Sequence, residues 1–182
     1  MKSCPEAENR TIHGRDIRIT TSECGSRHLL VEGELREERR IPYTAVSGER
    51  RDPHTVHHMV VRLRVNVKSL TVEEAEAVVH QAPHSECPAT VDSIRRLEGM
   101  KIQPGFSGRV RRAIGGVNGC THLTALVLAM APAVVQGFWV HRMQGEKPVE
   151  PSEDLLDRYL VDSCRVWRKD GALAARFRSK GA

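Results

Sequence analysis

Over the first third of the chain, apolar and polar residues alternate one by one, and that two-residue period predicts extended strands. Asp16-Ile17-Arg18-Ile19-Thr20 alternates in this way, and over 29–37 Leu29, Val31 and, past Gly33, Leu35 fall on one side. Glu23-Cys24-Gly25-Ser26 lies between the two runs and carries turn residues, so together they read as an antiparallel hairpin. The clearest strand spans 57–67, where Met59, Val61, Leu63, Val65 and Val67 alternate with His58, Val60, Arg62, Arg64 and Asn66. One of its sides is then buried and the other largely wet. Residues 38–53, charged and punctuated by Pro42, Gly48 and Pro53, read as a loop.

Beyond residue 70 the pattern changes. Thr71 followed three residues later by Glu74 has the spacing of a capped helix start, and predicts a helix over 71–80. Pro83 and Pro88 mark the next boundary, a helix over 88–97 stops at Gly99, and 106–114 forms a short third helix. Gly115-Gly116-Val117-Asn118-Gly119 is a turn, after which 120–136 is the longest apolar helix. Its core face is Leu123, Leu126, Val127, Met130 and Val134, and Pro132 predicts a kink. Residues 146–152 read as a linker, 153–160 as a helical turn or two, and 161–178 as a hairpin turning at Lys169-Asp170-Gly171. These elements describe an α+β fold, a small antiparallel sheet of about three to five strands against about three or four helices. A single domain covers 11–178, with 1–10 and 179–182 as disordered tails and no internal repeat.

Composition narrows the classes open to such a fold. A chain of 182 residues buries roughly two-thirds of its unfolded surface, so it needs neither disulfide nor metal merely to stay folded. Five cysteines, Cys4, Cys24, Cys87, Cys120 and Cys164, are odd in number and lack the spacing of a disulfide framework, which leaves free thiols or thiols used in chemistry. No stretch approaches about 18 uninterrupted apolar residues, and 1–10 lacks the apolar core of a secretory signal, so a cytoplasmic protein without membrane contact is expected. The net charge of +5 is dispersed and aromatics are 4% of the chain. Little is available to stack bases upon, so nucleic acid is not expected as a partner, and an anionic small molecule fits the charge as well.

The reactive side chains concentrate near two helix starts. Cys87 precedes Pro88, and Cys120 follows the glycine turn, so both sulfurs face the positive ends of helix dipoles, which favours thiolate over thiol. The glycines beside Cys120 also leave backbone N–H groups free for an anion. His122 lies about 200° around the helix from Cys120, but side chains converge more easily near a helix end. An enzyme built here uses Cys120 as nucleophile or ligand, His122 as base or second ligand, and Cys87 close by. A metal or sulfur carrier uses Cys87, Cys120 and His122 with Cys164 or His84 as ligands, a set suited to zinc or an iron–sulfur cluster. The plainer alternative is packing: cysteine is among the residues most often fully buried, and Cys164 falls in an expected strand. His57 and His58 point to opposite faces of their strand, so at most one of them faces a given pocket. Glu34 and Glu37 read as solvent-facing, either serving as a base if the strand lines a cleft. No spacing matches a zinc-finger, P-loop, Rossmann or HExxH pattern.

The run Leu97-Glu98-Gly99, Pro104-Gly105-Phe106 and Ile114-Gly115-Gly116-Val117-Asn118-Gly119-Cys120-Thr121-His122-Leu123 resembles the hallmark of a bacterial family catalogued as domain of unknown function 2889. Val31-Glu32-Gly33, His57 with Met59, Pro83 with Cys87, and Asp162-Ser163-Cys164 extend the resemblance over about 15–177. It implies a bacterial cytosolic protein. The chain departs from the family pattern at Cys24, Glu37 and His58, which implies altered or specialised chemistry. In order of elements the chain is also similar to iron–sulfur cluster assembly scaffolds, with Cys87 and Cys120 in place of two of their thiolates, a likeness of fold alone. The expectation is therefore a small enzyme tailoring a bacterial metabolite, secondary metabolites included, through a Cys/His site lying in a concave pocket between sheet and helix. The alternatives are a non-catalytic metal or sulfur carrier and a plain interaction module. A small-molecule substrate is expected, and an exposed sheet edge makes a homodimer feasible.

Overall fold

Four long antiparallel strands carry the fold: β1 (His13–Cys24), β2 (His28–Arg39), β5 (His54–Asn66) and β6 (Val72–Gln81), ordered β1-β2-β5-β6. Between β2 and β5 a two-stranded hairpin, β3 (Tyr43–Thr44) and β4 (Arg50–Arg51), stands where a loop is expected. A 3-10 helix spans Cys87–Leu97, followed by α1 (Phe106–Ile114), a 3-10 turn at Gly116–Asn118, and α2 (Thr121–Arg142). Two short helices, α3 (Glu153–Tyr159) and α4 (Ala172–Arg178), end the description. The computed structural model describes residues 9–144 and 152–178; the expected linker up to residue 151 and the tails at 1–8 and 179–182 lie outside the described residues.

The two-residue period of the sequence becomes the two faces of the sheet. Leu29, Val31, Leu35, Met59, Val61, Leu63 and Val65 point inward and are sealed from solvent, where α2 meets them with Leu123, Leu126, Val127, Met130 and Val134. Two glycines let the helix come close. A Cβ on Gly33 would lie 2.7 Å from Met130 Sδ, and a Cβ on Gly137 would lie 2.2 Å from Thr21 Cγ2. Among the described residues α2 is the one helix long and apolar enough to cross a bilayer, a property the uninterrupted-run criterion does not register; here that apolarity lies along the sheet and forms the core.

Two expected elements are corrected. Residues 71–80 form a strand, not a helix: Val72 and Ala75 are buried under α2's side of the sheet, while Glu74 and Glu76 on the other side meet Arg64 and Arg62 of β5. Cross-strand pairs of this kind outweigh a local capping signal. Residues 161–178 form no hairpin. Asp170 and Gly171 do make the turn, with Gly171 N–H donating to Arg168 O at 2.8 Å, but Ala172-Leu173-Ala174-Ala175 continues as α4. Alanine and leucine are the strongest helix formers, and Ala174 is buried. Cys164 consequently sits exposed in a turn and not in a strand.

Candidate active site at the start of the long helix

A carboxylate in the core face of β2 organises the site. Glu37 follows Leu35 by two positions and so points inward with it, just before the register shift between Glu37 and Glu38. It is 5% exposed, which corrects the expectation that it faces solvent; counting from Leu35 puts it on the buried side. Its strand neighbours in register are Arg15 on β1 and His57 on β5, one on each side.

Both partners use the carboxylate. Arg15 Nε donates to Oε1, and His13 Nε2 lies 3.6 Å from the same oxygen. The other oxygen, Oε2, lies 2.7 Å from His57 Nδ1 and 3.1 Å from His122 Nε2, which arrives from the first turn of α2. The rings of His57 and His122 stack with centroids 3.8 Å apart and planes 29° from parallel. Burial alone pushes the Glu37 carboxyl up, and it is the largest single influence. The Arg15 bond and charge, the His122 charge and the His57 bond together outweigh it and hold the group below its ordinary value.

Cys120 completes the line. It caps α2 from extended backbone (φ −119°, ψ 131°), is half-buried, and sets Sγ 3.8 Å from His122 Nδ1. Burial, again the largest influence, pushes its thiol up. The His122 ring and the backbone N–H groups of Leu123 and His122 more than reverse this, so the thiol ionises below its ordinary value. This is the expected effect of a helix N-terminus on a sulfur.

The loop before Cys120 is fixed from three sides. Arg96, on the 3-10 helix, donates to Ala113 O at 3.1 Å and Asn118 O at 2.8 Å. Asn118 Nδ2 donates to Arg112 O at 3.2 Å, and the Thr124 hydroxyl lies 2.9 Å from Ile114 O and 2.8 Å from Cys120 O. Gly119 is required here, since a Cβ would lie 2.4 Å from Ile114 O.

The structure thus brings together Cys120, His122, Glu37 and His57. It places His58 on the opposite sheet face, 2.7 Å from Glu34. Cys87 is half-buried and His84 exposed, and neither joins a group of three donors among the described residues; nor does Cys164. The trio whose donor atoms all lie within 4.8 Å of one another is Glu37, His57 and His122. Two open grooves of about 420 Å³ lie near the end of β2 and β5, both lined by His54 and Thr55, and neither by Cys120 or His122. Arg15 and His13 escape sequence reasoning, although the signal exists: Arg15 occupies a core-face position of β1, in phase with Ile17 and Ile19.

No curated protein and no solved structure matches the chain. A family model described as protein of unknown function (DUF2889) matches residues 13–136. The matched span opens on β1 and takes in Arg15, Glu37, His57, Cys120 and His122, leaving α3, α4 and Cys164 outside. Since that span is most of the chain, this protein belongs to the DUF2889 family.

Proposed function

We propose that the chain is a small cytoplasmic bacterial enzyme that acts on an organic metabolite through the thiolate of Cys120. One observation carries the reading: a single imidazole, His122, meets the Cys120 sulfur at 3.8 Å with Nδ1 and the Glu37 carboxylate at 3.1 Å with Nε2. A nucleophile, a base and an acid that orients the base are the parts of an activated thiol site. His122 Nδ1 takes the thiol proton, and Glu37 stabilises the imidazolium that results. The thiolate then adds to an electrophilic carbonyl carbon, forming the S–C bond. The bond to the leaving group breaks as His122 returns the proton to that group. Water, deprotonated by the same ring, cleaves the S–C bond and restores the thiol. His57 and Arg15 keep the carboxylate ionised and in place.

The test is turnover of an activated ester and of an acyl thioester by the purified chain and by Cys120→Ala and His122→Ala. Loss of turnover in folded variants supports the reading; an unchanged rate in Cys120→Ala ends it.

A second reading, non-catalytic metal binding, draws on the Glu37, His57 and His122 trio, since two imidazoles and a carboxylate suit zinc or iron. One feature weighs against it. A metal lies close to the plane of each imidazole that binds it, and rings stacked face to face, 3.8 Å apart and 29° from parallel, would have to turn to bring one ion into both planes. Elemental analysis of protein purified without added metal separates the two: near-stoichiometric metal favours the second.

A further inference from the structure

The sheet has two edges, and the fold treats them differently. Along β6, Val72 N–H donates to Met100 O at 3.0 Å, Gly99 N–H donates to Val72 O at 2.8 Å, and the Ala75 N–H donates to the Glu98 carboxylate at 3.2 Å. The chain after the 3-10 helix therefore occupies the first part of that edge, residues 72–75. β1, 12 residues long, has no backbone partner on its outer side among the described residues. A free edge of this length presents a row of N–H and C=O groups ready to pair with another strand.

The charges on the solvent face of the sheet point to which strand that is. On β2, β5 and β6 they are paired: Arg62 with Glu32 and Glu76, Arg64 with Glu74, His58 with Glu34, Arg36 with Glu38. Asp16 and Arg18, the two charges that β1 adds to this face, make no hydrogen bond or ion pair among the described residues. Between them Ile17 points to the other face and is 39% exposed, although its register neighbour Leu35 is sealed.

We propose that β1 pairs antiparallel with β1 of a second copy about a two-fold axis at Ile17, joining the two sheets into one. In that register Ile17 lies opposite Ile17. Asp16 of each copy lies opposite Arg18 of the other, twice by symmetry. Directly opposed residues have Cβ atoms about 4.5–5.5 Å apart, within reach of an ion pair. The neighbouring register, centred on Arg18, would oppose Arg18 to itself and is disfavoured. An isologous contact of this kind closes as a dimer and stops there. His13 and Arg15, which hold Glu37, lie on the same strand, so the interface runs beside the thiol site.

Sedimentation velocity over a concentration series tests this with the full chain, Asp16→Arg, Arg18→Asp and the double exchange Asp16→Arg/Arg18→Asp, each checked for fold by circular dichroism. The full chain should sediment as a dimer. Each single reversal puts like charges opposite each other twice and should weaken the dimer roughly tenfold or more. The double exchange restores opposite charges and should restore association. A monomer at every concentration overturns the proposal. So does a dimer indifferent to both single reversals, or a double exchange no better than either single one.

Discussion

His122 touches Glu37 through one ring nitrogen and Cys120 through the other, so the state of a sulfur at a helix start is tied to a carboxylate held between two strands. Neither group is reactive alone in this way. The sulfur would be pushed toward the neutral thiol by burial, and the carboxyl toward the neutral acid; the shared imidazole, with the backbone N–H groups of Leu123 and His122 at the sulfur and Arg15 at the carboxylate, shifts both the other way.

Alkylation reads this coupling directly. The rate of Cys120 modification by iodoacetamide, followed by mass spectrometry against pH, should rise at a lower pH than that of an ordinary thiol, whose value is about 8.5. Exposed Cys24 and Cys164 provide internal references. His122→Ala removes the ring bond and the ring charge, and should move the Cys120 curve to higher pH. Identical curves for Cys120 and the two exposed cysteines would contradict the geometry.

Acid should undo the Glu37 site in a predictable direction. The folded-state value lies below the unfolded one, so the ionised carboxylate stabilises the fold above about pH 4.3, the usual unfolded value. That contribution is lost as pH falls through the depressed folded value. Glu37→Gln leaves His57 and His122 without their buried carboxylate; because Arg15 is itself exposed and can be solvated, the cost should be roughly 1–3 kcal/mol at pH 7. The gap between wild type and variant should close toward pH 3. Urea denaturation at several pH values measures it, and a gap that stays constant would show that Glu37 is not ionised in the fold.

The helix–sheet contact gives a comparison between two glycines. Alanine at Gly33 meets the Met130 thioether at 2.7 Å, an unbranched side chain that can turn away, whereas alanine at Gly137 meets the β-branched Thr21 at 2.2 Å from Cγ2. Overpacking of a tight core costs typically 1–3 kcal/mol. Gly33→Ala should fall near the low end and Gly137→Ala near the high end, even after alanine's better helix propensity, worth about 1 kcal/mol, is counted. Denaturant midpoints decide the order, and the reverse order would place the closest approach elsewhere.

What the sequence discloses of this site is what lies close together in it. Cys120 and His122 share a helix start announced by glycines, and α1 and α2 begin within a residue of where their patterns begin. Glu37 needed only to be counted from Leu35, but its charge argued for solvent and its burial depends on four partners from three other elements. His57 and Arg15 meet it through strand register, which no local window contains. The helix expected at 71–80 fails for the same reason in reverse: its capping signal is local, and the pairs that overrule it, Arg62 with Glu76 and Arg64 with Glu74, lie across the sheet. The thiol relay was half legible, and the missing half is the half built by topology.

Arg96 offers the last test, because it touches neither sulfur, ring nor carboxylate. It holds the ends of the glycine loop by two carbonyls, Ala113 O at 3.1 Å and Asn118 O at 2.8 Å, and the residue after that loop is Cys120. Bonds from a charged donor to neutral acceptors are worth about 1.5–3 kcal/mol when buried and less when exposed, as these are. Arg96→Ala should therefore lower global stability by roughly 1 kcal/mol, a small fraction of the whole. Its effect on Cys120 should be larger in kind. With the loop released, the sulfur no longer keeps its place beside His122 Nδ1, and its alkylation curve should shift toward that of the exposed cysteines while the far-ultraviolet spectrum stays unchanged. Both carbonyls accept from one nitrogen, Nη1, so Arg96→Lys, whose ammonium carries three donors on one atom, should recover much of both the stability and the curve. A curve that is the same in all three proteins would mean that the helix start positions Cys120 without help from the 3-10 helix.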